Sequence, residues 1–194
     1  MNEENIDEYL EQQIKSIKSL KEHHTELQEI FNILKNARDQ GNQVFVMGNG
    51  GSASTASHFV ADLLKTSITN ENNRFKAISL SDNVPVLLAW SNDESYENIF
   101  LNQLENFLEK DDVVIGISGS GNSENVLNAI ELANQKQAHT IGLNGKNGGK
   151  LSEIVKTNLT VKSYDMLTIE TIHLLICHLI TTMIRSEGTP KFNY

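Results

Sequence analysis

Val44-Phe45-Val46-Met47-Gly48-Asn49-Gly50-Gly51-Ser52 and Val113-Val114-Ile115-Gly116-Ile117-Ser118-Gly119-Ser120-Gly121-Asn122-Ser123 follow one pattern: an apolar run, a turn of glycine and serine, then a stretch with helical spacing. Apolar runs this short, bounded by turn residues, read as strands buried on both faces of a parallel sheet. Glycines let backbone N–H groups approach an anion closely, serine hydroxyls add donors, and the following helix offers unpaired N–H groups at the positive end of its dipole. One such loop is shared with ordinary strand-to-helix turns. Two in one chain point to a small phosphorylated metabolite. In the second loop Ser118, Gly119, Ser120 and Ser123 are expected to surround a phosphate, with Asn122 and Ser123 opening the helix. In the first, Asn49, Gly50, Gly51 and Ser52 sit where a sugar or a second side of the phosphate is reached.

Outward from these loops the chain alternates. Strands are expected at 43–47, 76–80, 113–117, 139–143 and 159–161, separated by helical patterns at 53–65, 84–90, 96–108 and 124–137 and closed by a helix at 166–185. That order predicts an α/β fold with a parallel sheet covered on both faces, whose ligands bind at the carboxyl ends of the strands. Ahead of the first strand, Ile6, Leu10, Ile14, Ile17, Leu20, Leu27, Ile30, Phe31 and Leu34 keep helical spacing without proline or glycine, so one or two long amphipathic helices precede the sheet. His23 and His24 fall near the break between them and read as solvated or capping. Pro85 suits the first turn of its helix, with Ser81 or Asp82 as cap. Trp90 reads as core. One domain is expected over 1–194: helices at 1–41, an α/β core at 42–187, and a tail at 188–194 that reads as a helix stop and extension.

Composition narrows the partners. The 194 residues are 39% hydrophobic and 21% charged, with a net charge of −9. Nucleic acid and anionic membranes are bound through clustered Lys and Arg, so neither is expected, and a phosphate must be held mainly by dipoles and hydroxyls. The acidic stretch Met1-Asn2-Glu3-Glu4-Asn5 has no apolar segment behind it, unlike a secretory signal. The longest apolar stretch, 172–180, contains His173 and His178 and falls short of the ~18 residues of a membrane span. A cytoplasmic protein is expected. The single cysteine, Cys177, fits a reducing compartment and reads as inert core.

The stretches G-N-G-G-S-A-S-T-A-S-H-F (48–59) and I-S-G-S-G-N-S-E-N-V (117–126) resemble the sugar isomerase (SIS) domain family, and within it the phosphoheptose isomerases. The similarity extends over nearly the whole chain, through S-N-D-E-S-Y-E-N-I-F (91–100), L-N-G-K-N-G-G-K (143–150) and I-H-L-L-I-C-H-L-I (172–180). The resemblance implies a three-layer sandwich of flavodoxin-like type with a five-stranded parallel sheet. It also implies conversion of sedoheptulose 7-phosphate to D-glycero-D-manno-heptose 7-phosphate, and a homotetramer with active sites between subunits, the N-terminal helices serving oligomerisation.

Such a conversion moves a proton between C1 and C2 through an enediol, which requires a base, an acid and a group that polarises the carbonyl. His58 and Asp62, four residues apart, share a helix face. Glu170 and His178, eight apart, stand about 80° apart around a helix and can face one cavity. These two imidazoles and two carboxylates are also a workable set for one Zn2+ per subunit. The four positions match those at which the relatives carry His, Glu, Gln and His, so Asp62 and Glu170 depart from the pattern, and Thr168 stands where many relatives have arginine. Asp62 is expected as general base, His178 as the partner acid/base, and Glu170 with His58 as a metal or polar clamp, with Glu170 as an alternative base. Asn92 and Asp93 could bind sugar hydroxyls or cap a helix, and His173 is open between structural and functional roles. Two alternatives stand beside this reading: an isomerase of another sugar phosphate, and a non-catalytic phosphosugar-binding scaffold that acts on a protein partner.

Overall fold

The computed structural model describes residues 3–192. Met1, Asn2, Asn193 and Tyr194, at the ends of the acidic start and the tail considered above, lie outside the described residues. The chain opens with helix α1 (Glu3–Ser19), a 3-10 turn (Leu20–His23) and α2 (His24–Gln40). Strands β1 (Gln43–Gly48), β2 (Lys76–Ser79), β3 (Val113–Ser118), β4 (His139–Gly145) and β5 (Thr157–Val161) then form one parallel sheet in the order β2-β1-β3-β4-β5. The intervening helices are α3 (Gly51–Ala61), α4 (Val84–Asp93), α5 (Leu101–Glu105), α6 (Glu124–Gln135) and α7 (Gly149–Ile154), and α8 (Met166–Arg185) closes the chain.

The period-2 geometry of a strand sends alternate side chains to opposite faces, and here both faces are apolar. Val44 and Val46 of β1, with Ile115 and Ile117 of β3, join Leu34, Phe59 and Ile176 under α2, α3 and α8. Phe45, Met47 and Val114 point the other way, onto Leu104, Ile130 and Leu151 under α5, α6 and α7. Two apolar layers on one sheet make the three-layer sandwich that the alternating pattern implies. The strand order changes direction between β1 and β3, which pair with Gly48 opposite Ile117. Their carboxyl ends therefore flank the crevice where sheets of this kind bind ligands. α8 has the length and apolar content of a membrane span, with a mean hydropathy of 1.6, but Ile169, Ile172, Ile176 and Ile180 are buried in the first layer, as in a core helix.

The structure corrects several local expectations. Asn83, rather than Ser81 or Asp82, caps α4 by accepting from Val86 N at 3.4 Å. Ser81 Oγ donates instead to Gly48 O, and Asp82 accepts from Ser57. The helix expected over 96–108 is broken into a 3-10 turn (Tyr96–Asn98) and the short α5. Asn98 and Asn102 both donate to Glu94, and Asn106 donates to Asn102 O, side-chain bonds that compete with a continuous backbone ladder. Trp90 is not core: it is 36% exposed, and α4 has no buried residue. His23 does not cap α2 with its side chain; its Nδ1 lies 3.4 Å from Glu26 Oε1. The tail runs back alongside the segment after α3: Pro190 forms an antiparallel bridge to Thr69, and Lys191 N donates to Ile68 O.

Candidate active site

At the end of β3 three hydroxyls converge. Ser118 Oγ lies 3.0 Å from Ser123 Oγ and 3.4 Å from Ser120 Oγ. The loop is held by its own bonds, Gly121 N donating to Ser118 O and Ser118 Oγ, and Asn122 N to Ser120 Oγ. Gly121 has φ +68°, and the place of a Cβ there is taken by Gly148 O, so no other residue fits without displacing the loop before α7. Ser123 precedes α6 without spending its hydroxyl on the helix, which leaves that hydroxyl and the positive end of the α6 dipole facing the same point.

At the end of β1, Asn49 O accepts from Ser52 N and starts α3. Both loops rest on α8. A Cβ at Gly119 would overlap Met166 Sδ, and one at Gly51 would overlap the Glu170 carboxylate. Ser52 is buried at this junction. Two residues not singled out by the spacing argument complete it. The amides of Asn49 and Asn125 pair reciprocally, each bond 2.9 Å, and Tyr96 OH donates to Asn49 Oδ1 at 2.8 Å. The available signal was Asn125 inside G-N-S-E-N, two positions after the last loop serine, but nothing in composition tells a paired amide from a solvated one.

The proton-transfer candidates meet across α3 and α8. His58 Nε2 and His178 Nε2 are 3.1 Å apart with their rings edge-on, and Asp62 Oδ2 is 3.7 Å from the first and 3.8 Å from the second. The carboxylate is 12% exposed and the imidazoles are about half exposed, at 49% and 47%. α3 ends at Ala61, and the chain widens into a π-turn over Asp62–Thr66, a form concentrated at functional sites. At this distance one imidazole nitrogen can donate to the other, with the Asp62 carboxylate beside both rings. The same three ligand atoms lie within 4.8 Å of one another, and two nitrogens with one carboxylate oxygen are a donor set that suits zinc with an open position. Glu170, expected as a fourth member, is outside that group, its carboxylate packed on Gly51.

The remaining candidates fall elsewhere. Asn92 donates to Asp93 Oδ1 at 2.7 Å on the exposed last turn of α4, and neither residue caps a helix. His173 is fully buried and donates from Nε2 to Asn144 O at 3.0 Å; burial pulls its pKa down to about 4 against that bond, which makes it a neutral strut between α8 and β4. Burial, and then Asp62, push the Cys177 thiol up, so it stays protonated and inert. Thr168 is buried, donates to Asp165 and accepts from Gln13 Nε2.

A profile of the SIS domain family matches residues 8–145. The chain belongs to the SIS domain family. It is 37% identical over 182 residues to the phosphoheptose isomerase of Aliarcobacter butzleri (strain RM4018), covering 94% of this chain and 96% of that one. It also superposes with a TM-score of 0.86 on a phosphoheptose isomerase from Francisella tularensis, at 29% identity over 96% of this chain and 100% of that one. The phosphoheptose isomerase GmhA from Neisseria gonorrhoeae gives the same TM-score at 27% identity, covering 94% and 98%. Within this SIS domain the serine loop closes β3, and the His–His–Asp cluster stands between α3 and α8.

Proposed function

We propose that the protein is an aldose/ketose isomerase of the phosphoheptose isomerase type, converting sedoheptulose 7-phosphate to D-glycero-D-manno-heptose 7-phosphate. The observation that carries the reading is the division of labour between the two loops. Three serine hydroxyls converge at the end of β3, and across α3 and α8 the His58 and His178 rings meet beside the Asp62 carboxylate. Ser118, Gly119, Ser120 and Ser123 hold the phosphate by hydroxyls and the α6 dipole, in keeping with the net charge of −9. Asn49, Gly50, Gly51 and Ser52 line the sugar beside it, and Asn92 and Asp93 reach its hydroxyls when the site is filled.

Asp62 takes the proton from C1 of the open-chain ketose while His178 delivers one to the C2 oxygen, giving the enediol. Return of a proton to C2 and removal of the O1 proton then leave the aldose. His178, left neutral once its proton is on the C2 oxygen, takes up the O1 proton, His58 orients the His178 ring through the contact between their Nε2 atoms, and Glu170 fixes Gly51 and with it the start of α3. His58, Asp62 and His178 would hold zinc; bound there, the metal would polarise the substrate carbonyl. We also propose a cytoplasmic homotetramer with sites between subunits, since α1 and α4 leave apolar faces uncovered.

The test is incubation with sedoheptulose 7-phosphate in deuterium oxide, with zinc supplied. Deuterium at C2 of an aldoheptose phosphate is expected, and absence of both exchange and product would sink the reading. A second substrate is favoured by one observation. Thr168, buried and satisfied by Asp165 and Gln13, offers the ligand no cationic contact, so pentose and hexose phosphates belong in the same assay.

A further inference from the structure

We propose that Asn125 is a positioning residue: its amide, paired with that of Asn49, fixes the separation between the serine loop and the His58–Asp62–His178 cluster. The proposal rests on the isomerase reading above. Asn125 is 2% exposed, in the first turn of α6 and two residues beyond Ser123. Asn49 closes β1, and its carbonyl accepts the first bonds of α3, the helix that carries His58 and leads into Asp62. The reciprocal amide pair thus joins the element that ends the phosphate cradle to the element that begins the proton-transfer cluster. Tyr96 OH fills the second acceptor site of Asn49 Oδ1, so the oxygen is saturated and its orientation fixed. A buried amide costs stability unless paired, and pairing two of them against each other makes the correct spacing the one arrangement in which neither is orphaned.

A sugar phosphate has a fixed length. Its phosphate must reach the three hydroxyls while its C1–C2 pair reaches Asp62, so drift between the loops misplaces the reacting carbon even when the phosphate is still held. Inorganic phosphate has no second end and is indifferent to the spacing. The expected signature is therefore a split between turnover and phosphate affinity.

The experiment compares the full-length wild type with Asn125→Ala, Asn49→Ala and the double variant, measuring kcat for the ketose phosphate and Kd for inorganic phosphate. Asn125→Ala is expected to lower kcat about 30-fold or more, since a displacement of about 1 Å can cost 10²-fold, while Kd for phosphate stays within about threefold. The double variant should be no slower than the slower single variant, because both remove the same link. Tyr96→Phe, at an exposed position where the fold is not at risk, should show a smaller loss of kcat with the same split. Parallel loss of kcat and phosphate affinity, or unchanged kcat in both Asn125→Ala and Tyr96→Phe, overturns the proposal. Should Asn125→Ala fail to fold, Tyr96→Phe decides. A wild type inactive on heptose, hexose and pentose phosphates overturns the isomerase reading and the positioning role together. An active wild type with unaffected variants overturns the positioning role alone.

Discussion

Asp62 lies between two imidazoles with its carboxylate largely sheltered from water, and its side chain has no other role in the described contacts of the site. Asp62→Asn keeps the shape and removes the base, so kcat/KM is expected to fall about 10³-fold with little change in melting temperature, read by a coupled isomerase assay. His173 gives a second expectation at this scale. Its folded pKa, about 4, lies below the ordinary 6.5, so the unfolded chain binds the extra proton. The stability it contributes is complete above pH 6.5 and is lost as pH falls toward 4, by on the order of 3 kcal/mol in all. Denaturant titrations between pH 7 and 4.5 should show this slope, and His173→Gln should flatten it. The family resemblance assigns His178 to the acid/base pair and leaves His173 open, because helical spacing reports direction and not depth. Burial separates them: His173 is sealed against β4, while His178 is half exposed toward His58. Glu170 shows the complementary limit, since its eight-residue spacing from His178 is compatible with a shared cavity, yet its carboxylate is packed on the Gly51 backbone.

Among the elements, the strands were the most legible, because short apolar runs between turn residues admit few other readings. Their parallel pairing and two-faced burial follow from the alternation with helices, while their order in the sheet does not. What the pattern did not record was local competition. Asparagine side chains broke 96–108, α4 stayed on the surface despite Val84, Leu87, Leu88 and Trp90, and the π-turn at Asp62 leaves no mark on apolar spacing. The glycines of the two loops differ in what they tolerate. Gly121→Ala must push a Cβ into Gly148 O at φ +68°, and an expected loss of about 3 kcal/mol would appear as a drop in denaturation midpoint. Gly50 has φ +54° and ψ −122°, backbone that glycine alone adopts readily, with nothing within 4 Å of a Cβ, so Gly50→Ala should lose about 2 kcal/mol from backbone strain alone in the same measurement. Equal losses would mean that the α7 loop yields to the added methyl.

On the scale of the whole molecule, α1 carries Ile6, Leu10, Ile14 and Ile17 on one exposed stripe, and α4 adds Val84, Leu88 and Trp90. Apolar stripes of this kind mark interfaces. Leu10→Lys combined with Ile14→Lys is expected to convert the proposed tetramer into smaller species by sedimentation velocity and to lower activity with it, as the proposal of sites between subunits requires. Unchanged mass would place the interface elsewhere. The seating of both glycine loops on α8 has a further consequence. Met166 supports Gly119, Glu170 supports Gly51, and His178 extends from the same rod to His58 and Asp62. A phosphate at one end of this helix and a cation at the other would obey reciprocity: by whatever factor the first alters the affinity for the second, the second alters the affinity for the first.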